Sequence, residues 1–149
     1  MRFSIPVFVS AALALTQYAS AEGLTGIKVP ASITPGELFN VTYSFSNGLT
    51  NCAEYMAIFG MTYDKNVLEA STIGSQVVAT ADLSKLVLNR TFNATIRAPS
   101  HGYFEFYANY YNGTLPQPWY ISSANIQQIG DSGGVGLEVF HASTHINYS

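Results

Sequence analysis

The side chains of this chain with the most chemistry to offer are four carboxylates, three histidines and one thiol. Asp64, Glu69, Asp82 and Glu105 are of the type that pairs as acid and base in glycoside hydrolysis, where the separation of the two carboxyls in space decides the reaction. Their spacing in sequence fixes no such separation, and they read as solvated turn and edge residues. His141 and His145 stand four apart, a metal-ligand spacing if the segment is helical. Gly133, Gly134 and Gly136 just before them oppose a stable helix. His101 beside Gly102 reads as a turn residue. A copper histidine brace needs histidine as the first residue of the mature chain, and the residue expected there is Glu22. No Gly-x-Ser-x-Gly elbow, cysteine pair or phosphate-cradling glycine loop is present. The expectation is a protein that is not an enzyme, with no catalytic residue, cofactor or metal.

Cys52 is the only cysteine, so no intrachain disulfide is available, and a single thiol is expected to sit in or beside the core as a small hydrophobe. Five acceptor triplets for N-glycosylation begin at Asn40, Asn89, Asn93, Asn112 and Asn147, more than composition alone supplies, which favours passage through a eukaryotic secretory pathway. Tyr103, Tyr107 and Tyr111 recur in phase along one face of an apparent strand, with Trp119 nearby. Such a row either forms an exposed aromatic platform, as on a carbohydrate-binding or wall-associated module, or fills the core from a covered central strand with its hydroxyls at the rim.

The elements that must carry these residues are predominantly strands. Phe39, Val41, Tyr43 and Phe45 alternate with Asn40, Thr42, Ser44 and Ser46, the pattern of a strand with one solvated face. Leu88, Phe92, Ala94, Ile96 and Ala98 alternate with polar partners up to Pro99, in a register that leaves Asn89 and Asn93 accessible. The spacing predicts further strands over 24–29, 52–63, 67–70, 76–81, 103–111 and 119–129, with turns at Thr34-Pro35-Gly36-Glu37, Asp64-Lys65-Asn66, His101-Gly102 and Asn112-Gly113. Seven or so such segments predict an all-β fold, an antiparallel β-sandwich of the broad immunoglobulin-like or fibronectin-like class. Residues 131–149, rich in Gly, Ser and His, read as a tail in which Leu137 to Phe140 has room for one extra strand.

The chain has 149 residues, 48% hydrophobic and 10% charged, with a net charge of -3. That balance is a poor match to a nucleic-acid binder, a disordered tail or a coiled coil. Met1-Arg2-Phe3, the apolar run from Ile5 to Leu15 and Ala19-Ser20-Ala21 form a secretory signal peptide over 1–21, too short for a membrane span, with cleavage expected before Glu22. A β-sandwich domain over 22–130 follows.

Gly26-Ile27-Lys28-Val29-Pro30, Ile33-Thr34-Pro35-Gly36-Glu37 and the Phe39-Asn40-Val41-Thr42-Tyr43 strand resemble the start of the necrosis-inducing secreted effector family of filamentous fungi. Phe92-Asn93-Ala94-Thr95-Ile96-Arg97-Ala98-Pro99, the Gly102 turn and a final strand behind Pro118 extend the resemblance over most of 24–129. It implies a small secreted β-sandwich, acting as a monomer in the host apoplast or translocated into the host cytoplasm. Its implied partner is a host immune receptor kinase or an associated cytoplasmic kinase, with suppression of pattern-triggered defence and, in some members, host cell death.

Overall fold

The computed structural model describes residues 24–45, 53–70, 72–83, 91–129 and 134–148. Strands dominate, in two sheets. The first sheet has the order β1-β3-β6, formed by Leu24–Lys28, Leu38–Phe45 and Thr91–Arg97, all antiparallel. The second has the order β2-β8-β7-β4-β5, formed by Ser32–Ile33, Gly134–Ile146, Trp119–Ile129, Ala53–Thr62 and Gln76–Asp82. Its pairings are antiparallel except β2 with β8, which is parallel and two residues long.

Alternation in the sequence becomes inside and outside in the sheets. Phe39, Val41 and Tyr43 of β3 and Ala94 and Ile96 of β6 are buried, and they meet Ala57, Phe59 and Met61 of β4 and Ile121 of β7 in one core. Tyr43 joins the sheets. Its ring stacks on Phe92 at 5.7 Å and lies 6.4 Å from Phe59, and its hydroxyl sits 2.6 Å from Ser123 Oγ across the core. Ser123 in turn donates to Asn125 Oδ1 at 3.0 Å, so these buried polar groups are satisfied rather than stranded. On the solvent face of the first sheet, Asn40 lies opposite Thr95 and Thr42 opposite Asn93. Each threonine hydroxyl donates to the facing asparagine Oδ1, both at 2.7 Å.

Several expectations are corrected by the fold. The 103–111 segment is not a strand but most of a helix, α1, His101–Tyr110, which packs Phe104 and Ala108 into the core. His101-Gly102 is accordingly the first turn of that helix. Residues 67–70 belong to a 3-10 helix, Lys65–Ala70, that begins within the expected Asp64-Lys65-Asn66 turn. The stretch read as a tail contains β8, thirteen residues long and paired with β7 from Trp119 to Ile129. Phe140 and Ala142 of β8 pack against the core and Ile146 lies within it. Alternation along β8 is blurred by its glycines and by half-buried residues on both faces, which is why its length was hidden. The turn at 34–37 closes as expected, Glu37 N–H donating to Thr34 O at 3.2 Å. The signal-peptide residues, Cys52 and Asn89 lie outside the described residues. Among those described, no helix is long and apolar enough to cross a membrane.

Candidate functional site

Helix α1 supplies the candidate site. Tyrosine and phenylalanine favour strands, and positions 103, 107 and 111 share a face in either conformation, so their spacing does not discriminate. What decides is the pair Phe104 and Ala108, one helical turn apart and both buried. The end of the helix is marked in sequence by Asn112-Gly113, a signal shared by turns and helix C-termini. Both residues take positive φ, 56° and 84°, and Gly113 N–H donates to Ala108 O at 2.7 Å, satisfying a terminal carbonyl.

The helical twist redistributes the aromatic residues. Tyr103 and Tyr107 become half-buried, while Phe106 and Tyr110 point outward, 66% and 73% exposed, and Tyr111 is 37% exposed. Trp119, fully buried at the start of β7, is the hub. Edge-on contacts join it to Phe104 and Tyr107 at 5.2 Å and to Tyr63 at 5.6 Å, and Tyr103 lies 6.0 Å away. From Tyr107 the contacts run outward to Phe106 at 5.4 Å, and from Tyr63 through Tyr111 at 5.4 Å to Tyr110 at 5.0 Å. The exposed rings are therefore the outer ends of a ladder rooted in the core. Each edge-to-face contact contributes about 0.5–1.5 kcal/mol beyond burial, and the ladder holds the surface rings in place before any partner arrives.

The hydroxyls of this cluster are unevenly served. Tyr111 donates to the Tyr63 hydroxyl at 2.7 Å, which holds the Tyr111 phenol above its usual pKa. Among the described residues, the buried Tyr103 hydroxyl and Trp119 Nε1 meet no hydrogen-bond partner at full bonding geometry. Burial, and then the neighbouring Tyr107 phenol, push the Tyr103 pKa up, so its phenol stays neutral.

The other candidate residues do not gather here. Asp64 accepts the Asn66 N–H at 2.9 Å in its own loop, while Asp82 on β5 and Glu105 on α1 are exposed; the Glu69 side chain is outside the described residues. His141 and His145 lie on the same face of β8, a strand rather than a helix, and His101 stacks on Tyr148 at 4.4 Å. Among the described residues no group of three His, Cys, Asp or Glu side chains converges. Asn40, Asn93, Asn112 and Asn147 are all exposed. Phe106 and Tyr110 were missed in the sequence because a strand phase places them in one row with Phe104 and Ala108. The signal that could have found them is the period of 3.6 with Asn112-Gly113 as a helix end.

Fold and site together define, among the described residues, a small two-sheet all-β domain whose one α-helix displays a core-anchored aromatic ridge. The chain belongs to the Nis1 family, whose model matches residues 19–145, a fungal necrosis-inducing, effector-like family. No curated protein matches the chain. Among solved structures, a superoxide reductase (neelaredoxin) from Ignicoccus hospitalis is similar with a TM-score of 0.43 and 5% identity, over 83% of this chain and 82% of that one. A likeness at that level carries no argument about function.

Proposed function

We propose that this protein is a secreted, non-enzymatic fungal effector that binds a host immune receptor kinase or its cytoplasmic kinase partner and blunts pattern-triggered defence, with host cell death as a further effect. Family membership supports the effector part of this reading. The observation that carries the binding part is the exposed pair Phe106 and Tyr110, one helical turn apart on a ladder fixed to Trp119. Rigid, exposed aromatic rings are the side chains from which affinity at protein interfaces is most often drawn. In this reading the sheets form an immunoglobulin-like sandwich, residues 1–21 direct export with cleavage before Glu22, and the protein acts as a monomer outside or inside the host cell. Glycans on Asn40 and Asn93 would cover the solvent face of the first sheet and leave α1 free.

A carbohydrate-binding or wall-associated module is the second reading, favoured by the same exposed rings, which suit stacking on sugar faces. One experiment separates the two. Tagged protein is recovered from plant tissue and its partners are read by mass spectrometry, with chitin and β-glucan pull-downs in parallel. The triple variant Phe106→Ser, Tyr110→Ser, Tyr111→Ser should retain its circular dichroism and melting and lose kinase co-purification. Unchanged kinase recovery by the folded variant would move the interface off α1. Polysaccharide binding that the variant loses, with no kinase recovered by either protein, would replace the effector reading.

A further inference from the structure

A second site lies away from the ridge, on the outer face of β7 and β8. It is a cavity of about 420 Å³ lined by Lys65, Leu68, Tyr120, His141, Ala142 and Ser143. The sheet register builds its floor: Tyr120 lies opposite Ser143 and Ser122 opposite His141, so these four share one face. Lys65 and Leu68, three apart on the 3-10 helix, eclipse one another and overhang the same floor.

The polar groups of the cavity are set in one sense. His141 Nδ1 is 2.8 Å from the hydroxyl of Ser122, which is fully buried. A buried hydroxyl facing a ring nitrogen is best satisfied by donating to it, and the imidazole then carries its proton on Nε2. Burial lowers the His141 pKa, so the ring stays neutral near pH 7 and offers an N–H rather than a second charge. Lys65 supplies the cation. The neighbouring carboxylate of Asp64 is occupied with the Asn66 N–H, and its charge is felt at Tyr111 on the α1 side. Leu68 provides an apolar wall beside these donors.

We propose that this cavity binds a small organic carboxylate with a flat apolar body, its oxygens taken by Lys65 Nζ and His141 Nε2 and its body laid against Leu68. The volume is in the range of small-molecule sites, which combine apolar walls with a few placed polar groups. Inorganic phosphate would satisfy the donors and leave the wall uncovered, and a neutral aromatic alcohol would do the reverse. The proposal stands independently of the effector reading and of α1.

The test is a titration of the full chain with sodium benzoate, followed by NMR at the His141 ring, with benzyl alcohol and inorganic phosphate as separate arms. Benzoate should give saturable shifts at His141, and the two other probes should bind at least about tenfold more weakly. Lys65→Gln, at an exposed position, should leave the melting temperature unchanged and weaken benzoate by about tenfold. The absence of saturable shifts with benzoate, an equal response to phosphate or benzyl alcohol, or undiminished benzoate binding by the folded variant would each overturn the assignment.

Discussion

Among the described residues no group meets the Tyr103 hydroxyl at full bonding geometry, and the nearest candidate, the Tyr107 phenol, comes close enough to add to burial in raising its pKa. A buried polar group left in that state costs about 1–3 kcal/mol of desolvation. Tyr103→Phe keeps the ring that touches Tyr107, Phe104 and Trp119 and removes only the stranded oxygen. The substitution should leave stability unchanged or raise it by up to about 1 kcal/mol in chemical denaturation. A loss of more than that would mean the hydroxyl has a partner. The contrast is with Tyr43, fully buried, whose hydroxyl bridges the sheets to Ser123. Two tyrosines, one fully buried and one half-buried, thus play opposite parts. What distinguishes them is the residue each meets across the core, a long-range property.

At the scale of elements, β3, β6 and β7 were legible because each alternates cleanly or is bounded by a proline. Helix α1 was not, because its aromatic composition favours a strand and a repeat of four residues shares a face in both conformations. β4 carries the sharpest local constraint. Gly60 lies at an irregularity in the pairing with β5, and a methyl group built on it would sit 1.8 Å from the carbonyl oxygen of Ile73. No rotamer relieves a clash with backbone, so Gly60→Ala must displace the 72–75 segment or the strand itself. We expect a loss of about 1–3 kcal/mol or more, measured by urea denaturation, together with amide shifts in NMR concentrated at 73–75 and 60–61. A variant of native stability would show that this segment is free to move aside.

For the whole molecule, the all-β class and the two-sided core followed from patterning, whereas the sheet order did not. β8 shows why. Its glycines weaken its local signal, yet it lies between β2 and β7 and brings Ile146 into the core. Gln117 clamps its far end, its side-chain amide donating to Ile146 O at 3.0 Å and accepting from Ile146 N–H at 3.1 Å. Deleting residues 134–149 should therefore abolish cooperative thermal unfolding rather than trim a dispensable end; a truncated protein that still melts in one sharp transition would contradict this.

The reciprocal bonds between Asn40 and Thr95 and between Asn93 and Thr42 tie the two sequons of the first sheet to each other. Once β3 and β6 pair, each sequon's threonine hydroxyl is given to the opposite strand's asparagine instead of lying free beside its own. If the chain follows the proposed route of export, a glycosyltransferase would meet both sequons in usable form only while the two strands are apart. Asn40 emerges from the ribosome well before the segment that will hold it, while Asn93 arrives with its partner strand already made. Glycan occupancy at Asn93 relative to Asn40 would then report how quickly these two strands find each other in the secretory pathway.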